Sequence, residues 1–141
     1  TAFPNDPKDG YSGMLVVRSE LRSVCSHHHQ PVVGVAYIGI IAAEKLIGLS
    51  KYTRIAQWCA RRGTLQEELA NDIAREIMKS TGSENVGVYI QCTHGCCENR
   101  GIMAHSSLTQ TTVLEGAFLT DASVKEEFFH NIKLQQEFAP R

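Results

Sequence analysis

Two short segments of this chain combine thiol and imidazole groups at spacings that suit a metal ion. Cys25 lies just before three consecutive histidines, His27 to His29, and His94 is followed two positions later by Cys96. Zinc favours cysteine and histidine ligands, and a catalytic zinc has three protein ligands and a fourth position open to water. The sequence therefore predicts a reactive zinc rather than a structural one, which would more often show two compact pairs such as C-x-x-C.

The residues predicted to bind the metal are Cys25, His28 and Cys96. The three-residue offset between Cys25 and His28 allows one turn of chain to bring both side chains onto the same ion. Cys97 is the alternative to Cys96, and a structural site that uses Cys92 together with Cys96 also stays open at this point.

Two histidines, His27 and His94, would then lie beside the metal without binding it. An imidazole titrates near neutral pH, so it is a natural proton carrier at such a site. The alternative interpretation is that either histidine orients a metal ligand or packs in the core.

A basic cluster at the start of a predicted helix indicates an anion site. Ser50, Lys51 and Arg54 lie in its first turns, where the two cations share a face and the helix offers free N–H groups. Arg100, which follows the second metal segment, adds a further cation. The alternative is a solvated basic surface.

Glu67 has two interpretations. Thr64 followed by Glu67 fits the capping box, in which the carboxylate stabilises the first turn of a helix. The pattern alone favours capping over ligand binding for Glu67.

Length and composition are those of a single globular domain. The chain has 141 residues, of which 43% are hydrophobic and 21% charged. A net charge of −1 gives no positive field for nucleic acid, and the longest apolar run, residues 32–43, is too short to span a bilayer. The five cysteines lack a disulfide framework, which favours a reducing compartment such as the cytoplasm.

The hydrophobic pattern predicts secondary structure in the order ββααββα. Strands are expected over residues 14–23, 32–41, 85–93 and 106–118. Helices are expected over residues 50–62, with Ser50 as the N-cap, 64–79 and 124–136. This order predicts an α+β domain over residues 14–141, with an antiparallel sheet and helices on one face, and an N-terminal arm over residues 1–13.

Four ordered motifs resemble those of the GTP cyclohydrolase I family. Residues 25–31 are similar to its C-E-H-H-x-x-P segment, and residues 47–55 to its IGLSK-x-x-RI segment. Residues 65–67 fall on its V-Q-E segment, and residues 94–101 on its H-x-C-x-x-x-RG segment. The resemblance runs from about Met14 to the C-terminal helix, which is most of the chain.

The resemblance implies roles for individual residues. Cys25, His28 and Cys96 fall on the zinc positions, and His27 and His94 fall on the catalytic histidines. The substrate-binding positions, four for the triphosphate and two for the guanine, fall on Ser50, Lys51, Arg54, Arg100, Gln66 and Glu67. Guanine recognition thereby replaces capping as the favoured role of Glu67.

The resemblance also implies a fold, a reaction and an assembly. The fold is the tunnelling fold, in which subunits join their sheets into a ring, typically a decamer, with active sites between subunits. The reaction is the zinc-dependent conversion of GTP to 7,8-dihydroneopterin triphosphate with release of formate. Its product feeds pterin and folate synthesis or 7-deazaguanine synthesis, and no nucleic-acid or membrane partner is expected.

The chain departs from the family pattern in three places. Ser26 replaces a glutamate, Glu68 stands where an arginine is frequent, and the family's N-terminal helical region has no counterpart in the sequence. The resemblance is thus to a short, core-only member, a type that also occurs in bacteriophages and would act in the host cytoplasm. Two alternatives follow: a non-catalytic, zinc-stabilised nucleotide-binding protein, and a tunnelling-fold relative that acts on a deazapurine.

The choice between Cys96 and Cys97 can be tested by zinc content. We expect Cys96→Ser to lose bound zinc, because a serine hydroxyl is a much poorer zinc ligand than a thiolate, whereas Cys97→Ser keeps it. Metal analysis of the purified variants by mass spectrometry measures this. The reverse result would move the ligand by one residue.

Overall fold

Strands with alternating apolar residues and amphipathic helices account for most of the chain. The structure, a computed structural model, describes residues 2–4, 13–24, 31–43, 45–62, 66–94 and 107–138. Its strands are β1 (Ala2–Pro4), β2 (Met14–Val24), β3 (Pro31–Ile41), β4 (Lys45–Ile47), β5 (Val86–His94) and β6 (Ser107–Glu115). Its helices are α1 (Leu49–Ala60), α2 (Gln66–Thr81), α3 (Ala117–Thr120) and α4 (Ala122–Phe138). No helix in these ranges has the length and apolar character needed to cross a membrane.

The four long strands form one antiparallel sheet in the order β2-β3-β5-β6. The sequence predicts all four, the first three from apolar residues that alternate or cluster and the fourth from a Thr-rich, β-prone composition. Their bounds agree closely with the prediction except at one end. The sequence predicts a fourth strand up to residue 118, whereas β6 ends at Glu115. The reason is Gly116, whose positive φ of 63° turns the chain into α3.

The strand register defines two ends of this sheet. The upper end is formed by the paired residues Val24, Pro31, Val32, His94 and Ser107. The lower end is formed by Met14, Ile41, Val86 and Glu115. The chain therefore enters and leaves the segments 25–30 and 95–106 at the same end of the sheet.

A second, two-stranded sheet departs from the prediction of an arm over residues 1–13. Within that stretch, β1 (Ala2–Pro4) pairs antiparallel with β4 (Lys45–Ile47). Strands of three residues are too short to show a periodic pattern, so the sequence gives no signal for them.

One face of the main sheet carries α1 and α2. Ala36, Ile38 and Ile40 alternate along β3 towards this face, and Ile73 and Ile77 of α2 pack into the same core. All five residues are at most 2% exposed. Burial of an isoleucine of this kind stabilises the fold by about 1.5–3 kcal/mol, so this layer anchors both helices.

The opposite face of the sheet carries α3 and α4, which corrects the prediction that all helices share one face. Phe118 and Phe128 pack edge to face, with ring centroids 5.2 Å apart, and with Tyr37 they form a separate core. The physical reason is that Val35 and Ile41 make the second face of β3 apolar as well, so it also needs a cover.

Two glycines allow the aromatic rings to approach the sheet closely. A Cβ at Gly39 would lie 2.6 Å from Cδ1 of Phe128, and a Cβ at Gly87 would lie 2.8 Å from Cδ1 of Phe118. Both distances are far below van der Waals contact, so any side chain at these positions would displace a ring.

We therefore expect Gly39→Ala to lower the free energy of unfolding by about 1–3 kcal/mol through overpacking. Gly48→Ala is the matched control, because a Cβ at Gly48 would meet no atom within 4 Å. Urea unfolding followed by circular dichroism measures both variants. Equal stability of the two variants would contradict the packing described for Phe128.

Candidate active site

The strand register brings the two predicted metal-binding segments to one place. Val24 pairs with Pro31 across the first segment, and His94, the last residue of β5, pairs with Val32. Only β3 separates the end of β2 from the end of β5, so these strand ends lie about 10 Å apart, two strand spacings. The sheet thus anchors both segments at its upper end.

The predicted metal ligands and several neighbours lie outside the described residues. These are Cys25, His28 and Cys96, with Cys97 as the alternative ligand, and also His27 and Arg100. Their roles stay predictions. His94 lies at the end of β5, and the structure describes its backbone position and pairing.

The placement of the two segments fits a zinc ion. Cys25 directly follows Val24 and Cys96 comes two residues after His94, so both thiols belong to chain that starts at the upper end. A Zn–S bond is about 2.3 Å long, and one extended residue spans about 3.3 Å, so two such segments can reach a common ion. In the described ranges no group of three cysteine, histidine or acidic residues could bind a metal, which leaves these segments as the candidates.

Gln66 begins α2 close to the same end of the sheet. The Thr109 hydroxyl of β6 donates a hydrogen bond to Oε1 of Gln66 and fixes the amide. Nε2 of Gln66 is buried and has no hydrogen-bond partner among the described residues. A buried donor without a partner is rare in native proteins and suits a ligand that brings an acceptor. Glu67, the next residue, is exposed.

The structure brings together two of the residues of the predicted anion site on α1, and their binding of an anion stays a prediction. Lys51 and Arg54 line one groove, of about 410 Å³, on the outer side of α1 and α2, as their shared face predicts. The predicted N-cap is wrong: α1 begins at Leu49 with Gly48 as N-cap, and Ser50 lies exposed in the first turn. The pattern missed this because Gly48 caps through its extended backbone, without a side-chain hydrogen bond.

The two helices run antiparallel. Nη1 of Arg62, just after α1, lies 3.8 Å from Oδ2 of Asp72 in the first half of α2. Lys51, near the start of α1, lines the same groove as Ser80, near the end of α2. Ser83, just after α2, donates a hydrogen bond to the carbonyl of Ile41 at the lower end of the sheet, 2.8 Å away.

It follows that one chain does not bring all of its predicted substrate residues together. Gln66 lies towards the upper end of the sheet, whereas Ser50 and Lys51 lie towards the lower end. The 12 residues of α1 correspond to a length of about 18 Å. Within one chain, the two sets of residues thus lie towards opposite ends of the helix pair.

A larger cavity than this groove lies elsewhere in the described part of the chain. It has a volume of about 920 Å³, lies between the sheet and α4, and is lined by residues that include Arg18, Tyr37 and Lys133. Nε of Arg18 is buried without a hydrogen-bond partner in the described part of the chain. None of the described residues predicted to bind substrate lines this cavity, and the sequence analysis did not single out Arg18.

Comparison with known proteins places this geometry in a family. A family model described as GTP cyclohydrolase I matches residues 1–133. The chain belongs to the GTP cyclohydrolase I family. It is 40% identical over 127 residues to GTP cyclohydrolase 1 of Teredinibacter turnerae, and 37% identical over 139 residues to GTP cyclohydrolase 1 of Flavobacterium johnsoniae. These alignments cover 89% and 98% of this chain, but 67% and 61% of the relatives, so the chain spans about two thirds of their length.

A solved structure confirms the fold. The archaeosine synthase QueF-Like, crystallised in the apo form, superposes with a TM-score of 0.51 over 70% of this chain and 91% of its own. The sequence identity is 12%, so the likeness concerns the fold alone. The predicted α+β tunnelling fold is thereby confirmed.

Two cysteines that the sequence placed on apolar faces are core residues. Cys59 and Cys92 are at most 1% exposed and neither forms a disulfide. Burial, assisted by the nearby carboxylates of Asp72 and Glu76, raises the pKa of Cys59 to about 11, and burial alone raises the pKa of Cys92 to about 11. Both thiols therefore stay protonated at neutral pH and are poor metal ligands.

We expect Cys59 and Cys92 to resist alkylation by iodoacetamide at pH 8 in the native protein and to react fully in urea. Because their pKa values lie above the ordinary 9.0, the unfolded state ionises first, and stability should fall as the pH rises from about 9 to about 11. Peptide mass spectrometry measures the labelling. Rapid native labelling of either residue would contradict its burial.

Proposed function

We propose that this protein converts GTP to 7,8-dihydroneopterin triphosphate with release of formate. The observation that carries the proposal is family membership combined with the strand register, which anchors both motif segments at one end of the sheet. The relatives at 37–40% identity bear the name of this activity. The product would feed pterin and folate synthesis or 7-deazaguanine synthesis.

Zinc is the cofactor that the donor set suits best. Cys25, His28 and Cys96 would hold it, two thiolates and one imidazole from segments that start at the upper end of the sheet. When bound, zinc supplies a Lewis acid that makes water nucleophilic near neutral pH. The fourth position of a three-ligand set stays available for chemistry.

Two histidines would move protons while the five-membered ring of the purine opens. A first water adds at C8 and one C8–N bond breaks, which leaves a formamide on the other nitrogen. A second water then attacks the formyl carbon, the remaining C8–N bond breaks and formate leaves. His94 and His27 would take a proton from the attacking water and deliver protons to the ring nitrogens. Their neighbours in the chain, Cys96 and His28, would hold them beside the metal as its ligands.

The start of α2 would recognise guanine. Glu67 is exposed and can accept two hydrogen bonds from the guanine N–H groups, which adenine does not offer. The amide nitrogen of Gln66 has no acceptor among the described residues, so it can donate to a base carbonyl. Thr109 holds that amide in place through its hydroxyl.

The triphosphate would be bound by Ser50, Lys51, Arg54 and Arg100. Since the start of α1 and the start of α2 lie towards different ends of one chain, Lys51 and Arg54 would come from a neighbouring copy. Both edges of the sheet, β2 and β6, are long and lie at the ends of the strand order, so they can pair between copies. The assembly proposed is a homo-oligomeric ring, a decamer in the typical family case.

Incubation of the purified protein with GTP and zinc tests this function. We expect release of formate and the appearance of pterin fluorescence after oxidation of the product. Binding of GTP without turnover would favour a non-catalytic nucleotide-binding protein. Turnover of a deazapurine with a nicotinamide cofactor, and none of GTP, would favour the other tunnelling-fold alternative.

Mixing two inactive variants tests whether neighbouring copies share one active site. Lys51→Ala and His94→Ala should each lose most of the activity alone. After mixing, denaturation and joint refolding, about a quarter of the sites should regain both native residues if neighbouring copies contribute them. No recovery in mixed oligomers would contradict the shared site while leaving the activity itself intact.

A further inference from the structure

The groove between α1 and α2 contains more than the two cations that the family motif supplies. Its lining also includes Trp58 from α1, Arg61 just after α1, and Glu76 from α2. The family motif ends before Trp58, so neither Trp58 nor Arg61 belongs to the residues assigned to the substrate. Three cations and one carboxylate thus line a cavity of about 410 Å³.

The charge on α1 is unbalanced within the described structure. No aspartate or glutamate occurs between Leu49 and Arg62, although the whole chain has a net charge of −1. Lys51, Arg54 and Arg61 form no ion pair with any described residue, whereas Arg62 pairs with Asp72. Uncompensated like charges on one helix face are unfavourable, which indicates that a bound anion compensates them.

The position of Lys51 adds to this imbalance. It lies in the first turn of α1, where the helix dipole is positive and a cation is destabilising. Arg54 and Arg61 follow along the same face, so the positive charge extends for about 15 Å along the helix. A compact anion would neutralise one part of this stripe, whereas an extended polyanion would neutralise all of it.

Trp58 lies between the arginines of the groove. It is 53% exposed, unusual for the largest apolar side chain, and the guanidinium carbon of Arg62 lies 5.3 Å from the centre of its ring. In the sequence it lies between Arg54 and Arg61, and all three side chains line the groove. It is also the only tryptophan of the chain.

We propose that this groove is a polyphosphate site that extends past Lys51 and Arg54, with Arg61 as a further phosphate-binding residue. The proposal rests on the proposed function, because it takes Lys51 and Arg54 as the inner part of the same site. Arg61 holds the outer end of the phosphate chain. The long groove thereby favours a nucleoside triphosphate over the shorter mono- and diphosphates.

Inorganic tripolyphosphate is the probe, and Trp58 fluorescence is the readout. We expect a saturable fluorescence change in the wild-type protein. Arg61→Gln should weaken binding about five- to tenfold, the loss of one charge-assisted contact at a partly exposed site. Arg61→Lys should restore part of the affinity.

Arg75→Gln is the matched control. Arg75 is an arginine of α2 that lines a different depression and is 69% exposed, and its ion pair with Asp72 contributes little to stability. Its loss should leave tripolyphosphate binding unchanged. In the GTP assay, Arg61→Gln should raise KM with little change in kcat, and Arg75→Gln should change neither.

The outcomes separate the inference from the proposed function. Tripolyphosphate binding that depends on Arg61, without GTP turnover, would support the groove and contradict the enzyme activity. GTP turnover with unchanged binding and KM in Arg61→Gln would overturn the groove and leave the activity standing. An equal loss of affinity in Arg61→Gln and Arg75→Gln would also overturn it, because it would show general charge attraction.

Discussion

The pairing of β3 with β2 on one side and β5 on the other is the constraint on which the candidate site depends. Eleven consecutive register pairs join β2 to β3, and nine join β3 to β5. A slip of one residue in either ladder would turn every side chain of that strand to the opposite face. Both faces of the sheet are apolar, so polarity alone would not prevent a slip. The two cores differ in shape, however, because one is mainly aliphatic and the other mainly aromatic, and a slipped strand would fit neither.

Small residues on one face of the sheet produce this difference between the two cores. Gly39 and Gly87 lie side by side in adjacent strands and leave a flat area under Phe118 and Phe128. The intervening residues, such as Ile38 and Val88, fill the other core. The sheet is therefore held rigidly from both sides, and the segments at its upper end start from fixed positions.

The sequence was sufficient for the elements with a strong periodic signal. Alternating or clustered apolar residues predicted β2, β3 and β5, a Thr-rich, β-prone composition predicted β6, and four-residue spacing of Leu69, Ile73 and Ile77 predicted α2. The sequence was insufficient where a feature depends on contacts between elements that are distant along the chain. The face on which α4 packs depends on glycines in strands that are distant in sequence. The lack of a partner for Nε2 of Gln66 among the described residues is apparent only in the structure, where Thr109 binds the other atom of the same amide.

The candidate site shows the same division. Residue types and spacing were enough to predict which thiols, imidazoles and cations form the candidate site, because metal binding, proton transfer and anion binding each use particular side chains. The distance between the cations of α1 and the start of α2 could not be inferred, since it follows from the antiparallel packing of the two helices. Nothing in either helix sequence alone fixes that direction.

The antiparallel arrangement of α1 and α2 has a consequence for reading alignments of this family. In the proposed site, substitutions at Lys51 and at residues near the upper end of the sheet would be selected together, because one substrate would contact both. Correlated substitutions are usually taken as contacts within a single chain. Here such correlated pairs would join positions that lie far apart within one subunit. A structure prediction that treated those pairs as contacts within one chain would misplace α1 relative to the sheet.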